Sequence, residues 1–362
     1  MEKHPILFPL GVSSAAFQIE GGWNADGKGE SIWDRFLHLP GNGKATGDVA
    51  ADHYHHWEED LSLLHELGVD SYRFSISWPR VMPDGKGRLN QKGMDFYLRI
   101  LDRLRSYGIS PAVTLYHWDL PQKLQDKGGW ANRDTAEFFQ EYAGNMFDAF
   151  GDQVDTWITH SEPYVAAFVG HANGHFAPGH RDYAEALQVA HHLLLSHGLA
   201  VSAYRAVNGK GKIGITLDYF PASPASNRKA DILAARRDRE SHLGWFADPV
   251  FKGHYPDQMW HHYETKGLVM PHIEPEDLQI ISRPVDFLGI NYYRPSVIRN
   301  KPDGNWPCDN AYVPNPTDKT DAVHYHQPEK LYEYLQSLQK EYNPSEIMIT
   351  ENGFSAFEAP DR

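Results

Sequence analysis

Seven short apolar runs alternate with long amphipathic stretches along the 362 residues, and this alternation limits the available folds more than any other feature. The runs are FPLGVSSAAFQ (8–18), SYRFSISW (71–78), PAVTLYHW (111–118), DTWITHSE (155–162), KIGITLDYF (212–220), DFLGINYY (286–293) and EIMITEN (346–352). Most are near-continuously apolar or carry small residues, as strands buried on both faces of a parallel sheet should be. Between them the spacing predicts helices over 55–68, 90–108, 132–151, 182–207 and 328–342. In the first of these Trp57, Leu61, Leu64 and Leu67 recur at helical spacing, and Gly68 is placed to end it. Strand then helix, repeated, makes a parallel sheet of βα units.

Two architectures satisfy that pattern, a doubly wound open sheet and a (β/α)8 TIM barrel. The open sheet should begin with a phosphate-binding glycine loop between a strand and a helix. GGWNADGKGE (21–30) is glycine-rich but lacks that spacing, so the barrel is the better reading. A barrel needs roughly 250 residues plus insertions, and residues 1–362 read as one (β/α)-barrel catalytic domain with no Pro- or Ser-rich linker. The stretch 295–327, rich in Pro, Asn and Asp, reads as an irregular loop over the barrel mouth.

Composition excludes several classes. A formal charge of −14 is wrong for a nucleic-acid binder, which needs a basic stripe to displace counterions. No stretch reaches the roughly 18 to 20 apolar residues that span a bilayer. The start, MEKHPILFPLGVSSAAFQ, has its apolar run broken by Pro5, Pro9 and Gly11, which reads as a mature cytoplasmic start. A single cysteine, Cys308, excludes an intramolecular disulfide. The histidine clusters DHYHHWEED and AHHLLLSHG have neither HExxH spacing nor paired cysteines, so no metal site is expected and the rings are read as surface or helix-packing. The aromatic fraction, 13% with ten Trp, suits either a large core or a site lined by flat rings.

The chemistry is suggested by two strands that end alike. WITHSEPY (157–164) runs into Glu162 and is stopped by Pro163, and EIMITENG (346–353) runs into Glu351. Barrel chemistry sits at the carboxyl ends of the strands, where the fourth and seventh strands face each other. Two facing carboxylates are the equipment of a glycosidase, one as nucleophile and one as proton donor. A separation of ~5–5.5 Å means retention and ~6.5–9.5 Å inversion. Other strands end in polar or aromatic residues: Gln18 on the first, His117 and Trp118 on the third, Asn291 and Tyr293 on the sixth. Arg73, inside the second, is an odd core residue unless it pairs with a buried carboxylate, and holding Glu351 ionised is its expected task.

With these residues in view, the chain resembles family 1 glycoside hydrolases, the β-glucosidase family. FQIEGGW (17–23), SIWDRF (31–36), DHYHHWEED (52–60), YRFSISWPR (72–80), TLYHWDLPQKLQDKGGWANR (114–133), GINYY (289–293) and ITENG (349–353) stand in the family's order. The resemblance implies a retaining β-glycosidase acting on small β-glycosides without metal or organic cofactor. It implies Glu162 as acid/base and Glu351 as nucleophile. Gln18, His117 and Trp118 would bind sugar hydroxyls, Asn291 and Tyr293 would support the nucleophile, and Arg73 would pair with it.

Departures from the family pattern qualify that expectation. Ser161 stands where the family usually has the Asn that donates to the sugar 2-hydroxyl, Asp218 where Asn is common, and His324 where a Trp usually flanks the leaving group. Losing one preorganised donor costs ~2.7–4 kcal/mol, about 10²–10³ in rate. Family members continue past the nucleophile motif into a seventh helix, an eighth strand and a Trp- and Glu-bearing loop that grips the 4- and 6-hydroxyls, so if Arg362 ends the whole protein the barrel is expected to be C-terminally incomplete. The expected consequence is aggregation, an oligomer or strand-exchanged assembly, or complementation by a fragment. A weakly active or inactive sugar-binding barrel and a 6-phospho-β-glycosidase stand as the alternatives.

Overall fold

The computed structural model describes residues 8–40, 45–302, 307–314 and 328–353, and the chain divides into two compact units, 1–215 and 216–362. His324 lies outside the described residues.

In the first unit four parallel strands carry the sheet: β1 (Gly11–Ser13), β2 (Ser71–Ser75), β3 (Ser110–Tyr116) and β4 (Thr156–Ser161). Ser13 stands opposite Arg73, Arg73 opposite Ala112, and Ala112 opposite Thr156, so one layer runs across all four. The helices between them fall at 53–67, 91–106, 134–150 and 183–206, within two residues of the sequence expectation at each end. Their placement follows from their stripes. Helix 91–106 buries Met94, Tyr97, Ile100, Leu101 and Leu104 at three- and four-residue spacing while its arginines face outward. Helix 53–67 ends at Gly68 in the left-handed conformation, φ 69°. Trp78, Trp130 and Trp157 are fully buried, and Trp78 stacks on Tyr142 at 4.9 Å, so much of the aromatic content fills the core.

The second unit holds β7 (Phe287–Asn291) and β10 (Ile347–Glu351), which pair in parallel. Strand β5 (Lys212–Asp218) crosses the division between units. Order along the parallel sheet is β1-β2-β3-β4-β5-β7-β10, a sequential winding of βα units, and the architecture is the (β/α) barrel.

Two expectations need correction. The stretch after residue 295 is not simply an irregular loop. Strands β6 (Ala222–Pro224), β8 (Ser296–Asn300) and β9 (Asn310–Tyr312) form a second small sheet, with Ile298 packed against Ala234 and Ala235 of helix 229–239. The three-residue strands β6 and β9 carry too little pattern to read from sequence. The first run is also not strand to its end. After Ser13 the chain turns into a four-residue helix, Ala16–Ile19, so Gln18 is exposed on a helical turn rather than at a strand end. Among the described residues no helix is long and apolar enough to cross a membrane.

Candidate active site

The first unit presents Glu162, one residue past β4, with a backbone that few residues adopt. Its φ is 52°, and Trp118, two residues past β3, has φ 76°. Left-handed conformations at Asn208 or Asp309 are ordinary for turn residues, whereas for a Glu and a Trp they cost energy that the surrounding structure must hold. The holding contacts are visible. Trp118 Nε1 donates to the Ser161 carbonyl at 2.8 Å, tying the end of β3 to that of β4. On the other side the next helical segment, Val165–Ala172, starts on Glu162, whose carbonyl accepts from the Val165 amide at 3.0 Å. Glu162 as a residue is 8% exposed.

Arg73 lies beneath this corner. Its Nε donates to Thr114 Oγ1 at 3.1 Å and its Nη2 to Ser161 Oγ at 2.8 Å, which locks the guanidinium across β2, β3 and β4. Ser161 is fully buried, and its hydroxyl accepts from Arg73 Nη2. His117 is buried, with its ring 4.7 Å from that of Trp118, which lies 5.8 Å from Phe176.

The segment carrying Gln18 is anchored by a buried network. Glu20 accepts from Arg80 Nε at 2.8 Å and from the Tyr97 hydroxyl at 2.5 Å, while Arg80 also donates to the Gly21 carbonyl. Gly21 has φ 64°, and a Cβ there would stand 2.0 Å from the Val49 carbonyl oxygen. Only glycine fits, which gives the EGGW stretch its physical meaning.

Glu351 is positioned within the second unit by an irregularity in β10. Ile349 pairs with Ile290 but Glu351 pairs with Asn291, so Thr350 is an extra residue and forms a bulge. A bulge re-aims the side chain that follows it. Thr350 Oγ1 donates to Asn291 Oδ1 at 2.8 Å, and the Tyr292 amide donates to the Glu351 carbonyl at 3.0 Å. The Tyr293 hydroxyl donates to Glu351 Oε2. Asn291 and Tyr293 are thus brought to Glu351 by one strand pair. Asp218, also in this unit, accepts from His242 Nε2 at 2.7 Å.

Sequence reasoning passed over Asp119, which is 1% exposed directly after Trp118. Burial pushes its carboxyl up to about 8. Ser77 approaches and partly offsets this, although neither carboxyl oxygen meets a donor in full hydrogen-bonding geometry. The histidines of AHHLLLSHG are packing groups: His192 Nδ1 donates to the Trp130 carbonyl at 2.9 Å, and His197 Nδ1 faces Thr159 Oγ1 at 2.7 Å.

A parallel βα barrel with glutamates at two strand ends defines the glycoside hydrolase class of enzyme. The sequence profile described as glycosyl hydrolase family 1 matches residues 1–361, and the chain belongs to that family. It is 48% identical over 354 residues to β-glucosidase A of Acetivibrio thermocellus, covering 96% of this chain and 78% of that protein. To β-glucosidase A of Thermotoga maritima it is 45% identical, covering 98% and 79% respectively. Among solved structures, the β-glucosidase from Thermotoga maritima in complex with deoxynojirimycin superposes with a TM-score of 0.93 at 43% identity, over 100% of this chain and 81% of that one.

Proposed function

We propose that this glycoside hydrolase is a retaining β-glucosidase, with Glu162 as acid/base and Glu351 as nucleophile. The observation that carries the reading is the pair of strand-end glutamates in a family 1 chain, each held in a specific local arrangement. Glu351 attacks the anomeric carbon as the glycosidic C–O bond breaks, and Glu162 gives its proton to the departing oxygen. A water then loses a proton to Glu162 and attacks the same carbon, and the Glu351 carboxylate leaves. The Tyr293 hydroxyl orients Glu351, Asn291 supports the same strand end, and Arg73 supplies the positive charge that favours an ionised nucleophile. Gln18, His117 and Trp118 contact the sugar hydroxyls and ring, with Ser161 beside the 2-hydroxyl. A β-D-glucosyl group is the proposed unit, in line with the printed activities of the relatives, which include a 1,4-β-D-glucan glucohydrolase of Thermotoga neapolitana.

The test is a burst experiment with 2,4-dinitrophenyl 2-deoxy-2-fluoro-β-D-glucoside, followed by peptide mapping. One equivalent of dinitrophenolate, with the sugar on the peptide bearing Glu351, supports the reading. Glucoside binding with no label at Glu351 would instead favour a sugar-binding barrel.

A further inference from the structure

Beyond Glu162 the chain builds a second group of ligating side chains that the glycosidase chemistry does not use. His171, at the end of segment Val165–Ala172, meets His180 from the following loop and Glu185 from the first turn of helix Tyr183–Ala206. One donor atom from each lies within 4.8 Å of the other two, the only such trio among the described residues. We propose that His171, His180 and Glu185 form a binding site for a divalent transition-metal ion of the zinc type.

Three observations carry this. First, His171 is 1% exposed, and its Nδ1 donates to the Ala166 carbonyl at 3.0 Å. A carbonyl can only accept, so the hydrogen sits on Nδ1 and the lone pair on Nε2. A backbone carbonyl behind the ring is the usual means of orienting a metal-bound histidine. Second, that buried Nε2 has no hydrogen-bond partner. Buried nitrogens are rarely left so, and a metal ion satisfies it directly. Third, the rest of the trio is preorganised yet accessible. His180 Nδ1 and Glu185 Oε1 are 2.8 Å apart, with their side chains 41% and 25% exposed.

Backbone contacts fix the frame that holds the three. The His180 amide donates to the Gly170 carbonyl at 3.0 Å and the Asp182 amide to the His171 carbonyl at 2.7 Å. Asp182 caps helix 183–206, accepting from the amides of Ala184 and Glu185. Two imidazoles and one carboxylate are a zinc ligand set that leaves a fourth position for water. Imidazole selects Zn²⁺, Ni²⁺ or Cu²⁺ over Mg²⁺ and Ca²⁺. Bound metal would clamp the 173–182 loop to the segment that leaves Glu162.

The experiment uses the full chain without a histidine tag, stripped with EDTA, dialysed and titrated with ZnCl₂ by calorimetry, with zinc content read by mass spectrometry. His180→Gln and Glu185→Gln are the controls, because their partly exposed positions spare the fold. The wild type should retain one zinc, show no heat with MgCl₂, and gain thermal stability that EDTA removes. Each variant should bind zinc at least about tenfold more weakly. If the wild type takes up no zinc, or if both variants bind it as tightly, the assignment is overturned. Labelling of Glu351 is a separate readout, so this inference and the proposed function can fail independently.

Discussion

Replacing Asp119 with Asn tests what a buried acid beside the proposed sugar subsite does to stability. The folded carboxyl titrates at about 8 against an ordinary 3.8, because burial disfavours the charged form. Its stabilising contribution is therefore complete below 3.8 and is lost as pH rises through about 8. Within that window the folded chain holds one proton more than the unfolded chain, and stability falls by about 1.36 kcal/mol per pH unit. The buried histidines have the opposite sign. Burial puts His160 well below 6.5 and His197 at about 3, so their contribution is present above 6.5 and lost as pH falls. They mask the Asp119 effect at acid pH, which leaves the interval from 6.5 to 8 as the clean window. Over those about 1.5 units the wild type should lose about 2 kcal/mol of stability relative to Asp119→Asn. Urea unfolding followed by tryptophan fluorescence across this interval measures the difference. Parallel stability curves for the two proteins would show that Asp119 does not carry its proton into the unfolding reaction, and the argument from burial would be wrong.

Other substitutions probe the two strand ends. Tyr293→Phe removes the hydroxyl that donates to Glu351. Both side chains are partly exposed, so water can replace it in part, and the low end of ~1.5–3 kcal/mol applies. A fall of about tenfold in kcat/KM is expected, with unchanged Tm; full activity in steady-state assays would contradict the contact's role. Ser161→Asn supplies the donor that the family usually has next to the acid, and kcat/KM on a glucoside should rise by up to about 10². The gain should vanish on a 2-deoxyglucoside, and an equal gain on both substrates would refute a contact to the 2-hydroxyl. Glu20→Gln leaves the Arg80 guanidinium, 1% exposed, without its carboxylate. Breaking such a pair costs ~3–5 kcal/mol, which a thermal melt will detect, and a loss under about 1 kcal/mol would show that the network adds little.

Much of the site was legible because its signals are local. An apolar run stopped by Pro163 at Glu162, and the same pattern at Glu351, can be read from a few consecutive residues. The bulge at Thr350 cannot, because it exists only relative to the register of β7. Exposure of Gln18 was missed for a similar reason: a four-residue helix leaves no periodic trace. Asp119 shows nothing in sequence, since its shifted titration comes from surroundings that many distant residues supply.

By itself the sequence determined the alternation of strands and helices, the parallel winding that follows from it, and which strands end in carboxylates. These are properties of hydrophobic period and chain order, written within windows of a dozen residues. Tertiary structure alone decided that Glu162 and Trp118 adopt left-handed backbones, that Arg73 donates to Thr114 and Ser161, and that His171, His180 and Glu185 converge. Strain and buried polar contacts are settled only when distant segments close around them, because their energies depend on what excludes water and who supplies the missing partner.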